Sequence, residues 1–367
     1  MIPRTLVPSL APLTALLAFA ASVAAQITPG NLIVVRTGTG AAALNSSSTA
    51  VFLEELTTSG AAVQTLAMPT AVSGANLPVT NSGSATSEGF ITQSADGRYL
   101  VTVGYAAAPG VASIVGTPAA TTARVVARIA LDGTIDTSTG LTDAYSGNNI
   151  RSACSFDGSS FWTAGTGSAP FNRGICYVAA VGAAASSQLS DTAGVTNFRV
   201  ANIFNDQLYT SSQSGAAVGV NTVGVGVPNV GPQTVAVLPG FPGAGSPNQY
   251  DYWLADATTL YVADERSPAT GGGIQKWTFA AGVWSLAYTL AAPGTNGCRG
   301  LSGIRDQNGT RLYATTTEGN ANRLVTVLDT GAGSVFDPTL ATAGANTAFR
   351  GVRFVRTPSS ATLAGTG

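Results

Sequence analysis

Four arginines occupy equivalent places in a repeated sequence and could together bind an anion. The four arginines are Arg151, Arg199, Arg299 and Arg350, and an asparagine stands two to four residues ahead of each one. Planar guanidinium groups hold carboxylates and sulfates through paired hydrogen bonds. The matching places of two further repeats carry the acids Glu88 and Asp251. These six residues predict a site for a small acidic molecule or a carbohydrate such as a uronic acid.

The same arginines also permit a purely structural interpretation. A guanidinium group has five N–H donors and can tie neighbouring repeats together through backbone carbonyls or through the two acids. Residue type and spacing do not separate an anion site from a structural tie, so both hypotheses are kept.

Several kinds of chemistry are excluded by composition. The chain has no histidine, which removes Ser-His-Asp and Cys-His catalysis and histidine-ligated zinc or copper. Its formal net charge is −1 and Lys276 is its single lysine. No basic stripe could neutralise a phosphate backbone, so nucleic acid is not a predicted partner.

The carboxylates fall into two groups. Four aspartates stand in predicted hairpin turns, where they favour the tight backbone of the turn: Asp96, Asp157, Asp206 and Asp306. Three other acids follow a second strand, on the same face as the arginines, and are interpreted as solvated loop charges: Asp264, Glu265 and Glu318. Calcium needs six to eight oxygen ligands. The spacing assembles no such set, so no cofactor is predicted and calcium is kept as an alternative.

The elements that must position these residues are copies of one unit. Strand-like segments at residues 207–211, 259–263 and 311–315 align with one another, and looser copies occupy residues 31–35, 98–102 and 160–164. A turn containing Asp, Gly or Asn precedes all of them but the first, and another short strand precedes that turn. The internal copies recur about every 50 residues, near the period of propeller blades.

The ends of the chain complete one another. Five units of four strands cover residues 88–141, 151–190, 199–239, 251–290 and 299–342. Residues 349–356 resemble a first strand without successors, whereas residues 31–36, 51–56 and 62–68 resemble later strands without a first one. This pattern predicts an all-β, six-bladed β-propeller whose last blade is a composite of both chain ends. A seven-bladed propeller, a β-sandwich and a β-helix are the alternatives.

The amino terminus has the form of a secretory signal peptide. Arg4 supplies a positive start, residues 13–20 are apolar, and Val23-Ala24-Ala25 fits a cleavage site. The apolar run is too short to span a bilayer, and no second one follows. We therefore predict a signal peptide at residues 1–25 and a single propeller domain at residues 26–367, secreted or periplasmic and without a membrane span.

Three cysteines are an odd number for an exported protein. Cys154 falls on the first strand of its unit and Cys176 on the third, and strands two apart are separated by about 9–10 Å. That distance exceeds the reach of a disulfide. Cys298 lies in another unit, so three buried free thiols are predicted.

Three segments resemble a group of exported bacterial β-propeller proteins without an assigned activity. They are TSEGFITQSADGRYLVTVGY at residues 86–105, GNNIRSA at residues 147–153 and FNDQLYTSS at residues 204–212. The resemblance extends over most of residues 26–367. It implies the fold and export, and it implies no substrate.

Three functions are compatible with these observations. The first is an exported binding or surface protein without catalytic apparatus, which holds its ligand at the channel mouth. The second is a histidine-independent enzyme of the lyase or lactone hydrolase type that uses carboxylates and arginines there. The third is a purely structural role in an extracellular matrix.

Overall fold

A computed structural model describes residues 1, 26–191, 194–245 and 247–359. The signal peptide predicted at residues 1–25 therefore lies, except for Met1, outside the described residues. This part of the chain is built from β-strands and three single-turn 3-10 helices: Ile114–Gly116, Gly215–Ala217 and Pro268–Thr270. Within it, no helix is long and apolar enough to cross a membrane.

The first part of the chain contributes eight strands to one large antiparallel sheet. They are β1 (Leu32–Thr37), β2 (Ser48–Leu56), β3 (Ala62–Ala67), β4 (Thr80–Ser82), β5 (Thr92–Gln93), β6 (Tyr99–Tyr105), β7 (Arg124–Ala130) and β8 (Ile135–Leu141). Turn residues such as Gly60, Gly97 and Gly133 separate successive strands and adopt positive φ, which costs glycine little.

Four separate sheets of four antiparallel strands follow. The first contains β9 (Ile150–Cys154), β10 (Phe161–Gly165), β11 (Ile175–Val178) and β12 (Ser187–Gln188). The second contains β13 (Phe198–Phe204), β14 (Gln207–Ser212), β15 (Gly219–Val223) and β16 (Val235–Val237). The third contains β17 (Gln249–Asp256), β18 (Thr259–Asp264), β19 (Gly273–Ala280) and β20 (Val283–Leu290). The fourth contains β21 (Cys298–Asp306), β22 (Gly309–Thr316), β23 (Arg323–Asp329) and β24 (Ala341–Thr342).

The first strands of successive sheets lie side by side around an axis. Strand β9 contacts β13, β13 contacts β17, and β17 contacts β21. The last strand, β25 (Ala348–Phe354), contacts β21 on one side. On its other side the Gly351 N–H donates to the Gly89 carbonyl at 3.0 Å, just before β5. The ring is thereby closed, and the molecule is an all-β propeller with four-stranded blades. The β-sandwich and β-helix alternatives are wrong.

The chain ends meet in the predicted way. Strand β25 pairs antiparallel with β1, from Leu32 opposite Phe354 to Thr37 opposite Ala348. The prediction that residues 349–356 pair with residues 31–36 is confirmed. A sheet shared between the two ends covers strand edges that would otherwise be open to solvent.

The number of blades is less simple than predicted. Residues 69–84, which lie between the predicted strand at residues 62–68 and the unit that starts at residue 88, contain β4, which pairs with β2 at Ala50 and with β6 at Tyr105. These two pairings join strands from both ends of the chain into one nine-stranded sheet. The structure thus has four separate four-stranded sheets and one nine-stranded sheet, and the count of six blades stays a prediction.

Apolar side chains between neighbouring sheets form the core. One cluster joins Val200 and Val220 of one sheet to Tyr252 and Val262 of the next. All three cysteines are buried and free, as predicted. Burial raises the pKa of the Cys176 and Cys298 thiols to about 12, so they pack as small apolar groups.

The hairpin aspartates form the turns that the sequence predicts. The Asp157 carboxylate accepts from the Ser159 N–H at 2.9 Å, and that of Asp306 accepts from the Asn308 N–H at 2.7 Å. Each is a short-range hydrogen bond that fixes the turn between the first and second strands of a sheet.

Asp157→Ala and Asp306→Ala should each lower the free energy of unfolding by about 1 kcal/mol, because a turn hydrogen bond is lost. Urea unfolding measures this directly. The matched variants Asp157→Asn and Asp306→Asn keep an acceptor oxygen and should lose less. Equal losses in the alanine and asparagine variants would show that the carboxylate charge, and not the turn, matters.

Candidate functional site

The four arginines stand at the starts of the innermost strands. Arg151 lies near the start of β9, Arg199 of β13, Arg299 of β21 and Arg350 of β25. Because these strands run in the same direction around the ring, their first residues meet at one end of the channel. The side chains are largely withdrawn from solvent, with Arg151 5% exposed and Arg350 3% exposed. We call these four residues the arginine cluster.

Tyr250 lies among the four guanidinium groups. The guanidinium carbons of Arg199 and Arg299 are 4.7 and 5.3 Å from the centroid of its ring. Tyr250 is the second residue of β17 and occupies the place that an arginine takes in four other repeats. Cation–π contacts of this kind contribute about 0.5–2 kcal/mol, so the tyrosine orients two of the arginines.

Two arginines donate hydrogen bonds to backbone carbonyls of other strands or of the segments beside them. Arg151 donates through Nη1 to the Phe198 carbonyl at 2.9 Å and to the side chain of Asn197. Arg350 donates through Nη2 to the Gly83 carbonyl at 2.8 Å. In these two arginines, one guanidinium nitrogen donates to a backbone carbonyl and so has a structural role. The other nitrogens of the group are not used in this contact.

A glycine makes the position of Arg350 possible. Gly89 has a φ of +76°, and a Cβ atom there would lie 3.1 Å from the Cβ and Cγ of Arg350. Any larger residue would push the arginine aside or strain the backbone.

Two carboxylates face the arginine cluster. The Glu265 Oε2 accepts from Arg299 Nη2 at 2.8 Å. Glu88 is fully buried and accepts from the Ser82 N–H at 2.9 Å and from the Tyr105 hydroxyl at 2.5 Å. Burial raises the pKa of Glu88, although these hydrogen bonds and the charge of a nearby arginine oppose the rise.

Asp251 does not join the cluster. Its Oδ2 accepts from the Leu301 N–H at 3.0 Å and lies 3.7 Å from Nη2 of Arg353. Successive side chains of a strand point to opposite faces. Since Tyr250 faces the arginines, Asp251 points into the interface with the next sheet. Its predicted place beside the arginines is corrected on this ground. Burial raises the pKa of Asp251 to about 6, while Arg353 and the hydrogen bonds oppose the rise.

The arginine cluster carries more positive charge than its neighbours neutralise. Four guanidinium groups face the carboxylates of Glu88 and Glu265, so two positive charges are in excess. In the described part of the chain, the Nε–H groups of Arg151, Arg199 and Arg350 are buried and have no hydrogen-bond partner. Burial, and next the charge of Arg199, lowers the pKa of Arg151 to about 9. Burial and the charge of Arg299 lower the pKa of Arg350 to about 10. Burial and neighbouring cations shift the pKa of a guanidinium group in this direction, and the charge of Glu88 opposes the shift of both arginines.

The loop acids differ from their predicted setting. Asp264 is fully buried and binds Arg266, with 2.7 Å between Oδ2 and Nη2, so its interpretation as a solvated charge is wrong. Glu318 pairs with Arg323 at 2.8 Å. Among the residues that the structure describes, no group of three His, Cys, Asp or Glu side chains could hold a metal ion. Calcium binding stays untested.

A second feature was not predicted. A cavity of about 390 Å³ lies at the carboxyl-terminal ends of the innermost strands, away from the arginine cluster. Its wall includes the residues three places after the arginine or Tyr250 of four repeats: Asn202, Trp253, Ser302 and Arg353. Aligning those positions would have found the cavity, because residues at one repeat position meet at one level of the channel.

Comparison with known proteins gives distant structural likenesses. No protein-family model matches this chain, and no curated protein matches it. A Bacteroides fragilis structure with a provisional assignment as a 6-phosphogluconolactonase is 12% identical, with 84% of this chain and 81% of that chain covered and a TM-score of 0.48. A chain of a nidogen/laminin complex is 12% identical (88% and 97% covered, TM-score 0.48). Apo AztD from Citrobacter koseri is 13% identical (83% and 70% covered, TM-score 0.34). At such low similarity, no substrate or partner is carried over to this chain.

Proposed function

We propose that this chain is an exported six-bladed β-propeller whose arginine cluster binds a small acidic molecule, such as a dicarboxylate or a uronic acid. One observation carries the proposal: three buried guanidinium groups have Nε–H donors without a partner among the described residues, at a place where positive charge exceeds negative charge. A bound carboxylate would accept from such donors and supply the missing counterion.

The blade count in this proposal is supported by the make-up of the nine-stranded sheet. Strands β25, β1, β2 and β3 form one run of four, and β5, β6, β7 and β8 form another. Among the strands of the described residues, only β4 joins the two runs. Counting each run as a blade gives six blades together with the four separate sheets.

The size of the ligand follows from the exposure of the cluster. The side chains of Arg299 and Glu265 are 12% and 20% exposed, and those of the other arginines are more buried. A ligand would therefore approach beside Arg299 and reach inward. This limited exposure favours a small anion, or a single acidic sugar, over a larger ligand.

Malonate and galacturonate should raise the melting temperature of the protein and bind with saturation in isothermal titration calorimetry, because each would relieve the repulsion among buried cations. Galactose, which has no charge, and sodium chloride at equal ionic strength serve as controls. Arg299→Met should weaken binding of the acid by more than about tenfold, or roughly 1.4 kcal/mol, with little change in melting temperature.

Arg311→Met is the matched control, since Arg311 lies on the second strand of its sheet and pairs with Asp337. It should leave binding unchanged. If neither acid stabilises the protein beyond the salt control, or if Arg299→Met binds both acids normally, the arginine cluster is only a tie between blades.

A further inference from the structure

The cavity at the carboxyl-terminal ends of the innermost strands has the properties of a second ligand site. Its volume of about 390 Å³ falls within the range of small-molecule sites. Its wall shares no residue with the arginine cluster. The wall has an aromatic part and a part formed by guanidinium groups, and the two parts come from different segments of the chain.

The aromatic part is held in a fixed orientation. The half-buried ring of Trp253 stacks on Tyr261, with 6.0 Å between centroids and an interplanar angle of 27°. Gly303 allows the ring to lie close to the backbone, since a Cβ there would be 2.6 Å from the indole. Phe204 and Phe354 complete this wall. A rigid, flat apolar wall favours a flat ligand, because little side-chain freedom is lost on binding.

The cationic part comes from the end of β25 and the residues after it. Arg353 is 5% exposed, and its Nε and Nη2 donate to the Ile91 carbonyl at 3.1 and 2.9 Å. Its Nη1 has no hydrogen-bond partner among the residues described. Arg356 donates through Nη2 to the Ser94 carbonyl at 3.1 Å.

The two guanidinium groups lie close enough to interact. Partial burial, and next the charge of Arg353, lowers the pKa of Arg356. Asp251 lies 3.7 Å from Arg353, whereas Arg356 forms no ion pair within the described ranges. The wall therefore includes one guanidinium group, that of Arg356, that forms no direct ion pair in the described ranges, although the charge of Asp96 acts on it.

We propose that this cavity binds a small flat aromatic acid, with the ring against Trp253 and the acidic group at Arg353 and Arg356. Aromatic stacking and charge-assisted hydrogen bonds would act on opposite ends of the same molecule. This site is separate from the arginine cluster, at the other end of the ring, and does not depend on what that cluster binds.

Titration calorimetry with 2-naphthoate tests the proposal, with 2-naphthamide as the same ring without charge and acetate as the charge without a ring. We expect saturable binding of one 2-naphthoate per chain and none of acetate. Arg356→Gln should weaken 2-naphthoate at least tenfold and leave any weak 2-naphthamide binding unchanged. Arg299→Met, in the arginine cluster, should leave 2-naphthoate affinity unchanged.

Asn202→Phe should fill the cavity and abolish binding of both ring compounds. Arg356 is exposed, so Arg356→Gln should keep the melting temperature of the native chain. The test therefore does not depend on Asn202→Phe, which changes a more buried position. Normal 2-naphthoate affinity in both Arg356→Gln and Asn202→Phe overturns the proposal. Loss of affinity in Arg299→Met instead would assign the ligand to the arginine cluster. Equal affinity for 2-naphthamide would overturn the role of the two arginines.

Discussion

A chain that lacks residues 346–367 should lose most of its folding stability and aggregate. The deletion removes β25, and with it the buried side chains of Phe349, Val352 and Val355. Burying an apolar side chain of this size contributes about 1.5–3 kcal/mol. The three together approach the total stability of about 5–15 kcal/mol that is usual for a domain. The deletion also opens the edge of β1, which pairs with β25, to pairing with other molecules.

Urea unfolding and light scattering measure the two effects. A peptide of residues 346–359 added to the truncated chain should restore solubility and stability by pairing with β1, whereas a scrambled peptide of the same composition should not. A truncated protein that melts at the native temperature would mean that the ring does not need the strand from the carboxyl-terminal end of the chain.

The repeat made most of the fold predictable from the sequence. The aligned segments at residues 207–211, 259–263 and 311–315 lie within β14, β18 and β22, each the second strand of its sheet. Strong alternation and a preceding turn explain this success, since both signals are local. Strand β4 has only three residues and follows Pro78, and its partners are 25 or more residues away along the chain. No local pattern predicts such a strand.

The sequence predicted which end of the strands holds the site, but not in every strand which residue faces it. The four arginines were found by their common place in the repeat, and they do converge. In the repeat of residues 251–290, however, Tyr250 and not Asp251 occupies that place, because the alternation of side chains along a strand, and not their charge, decides which of them faces the cluster. Glu265 was predicted to lie on the same face, and it pairs with Arg299. Its partnership could not be predicted, since the loop after β18 has no regular geometry.

Stability should fall as the pH rises from about 4 to 6, and Asp251 should cause part of this fall. Its pKa is about 6 in the folded protein, where burial dominates, against 3.8 as its ordinary value. Because the pKa is higher in the folded state than in the unfolded state, the folded state binds the proton more tightly at pH values between the two. The stabilisation is complete below pH 3.8 and is lost as the pH passes 6. A difference of about two pKa units corresponds to about 3 kcal/mol.

Asp251→Asn should remove this contribution, because the amide imitates the neutral acid and can still accept from the Leu301 N–H. We expect the variant to match the native chain near pH 4 and to exceed its stability by up to about 3 kcal/mol at pH 7, measured by urea unfolding across the range. Asp256→Asn on the same strand is the control. Burial would raise the pKa of Asp256, but hydrogen bonds from Thr258 outweigh it and lower that pKa, so its removal should not alter the slope between pH 4 and 6. A native chain and an Asp251→Asn variant with parallel pH profiles would show that Arg353 compensates the buried carboxylate in full.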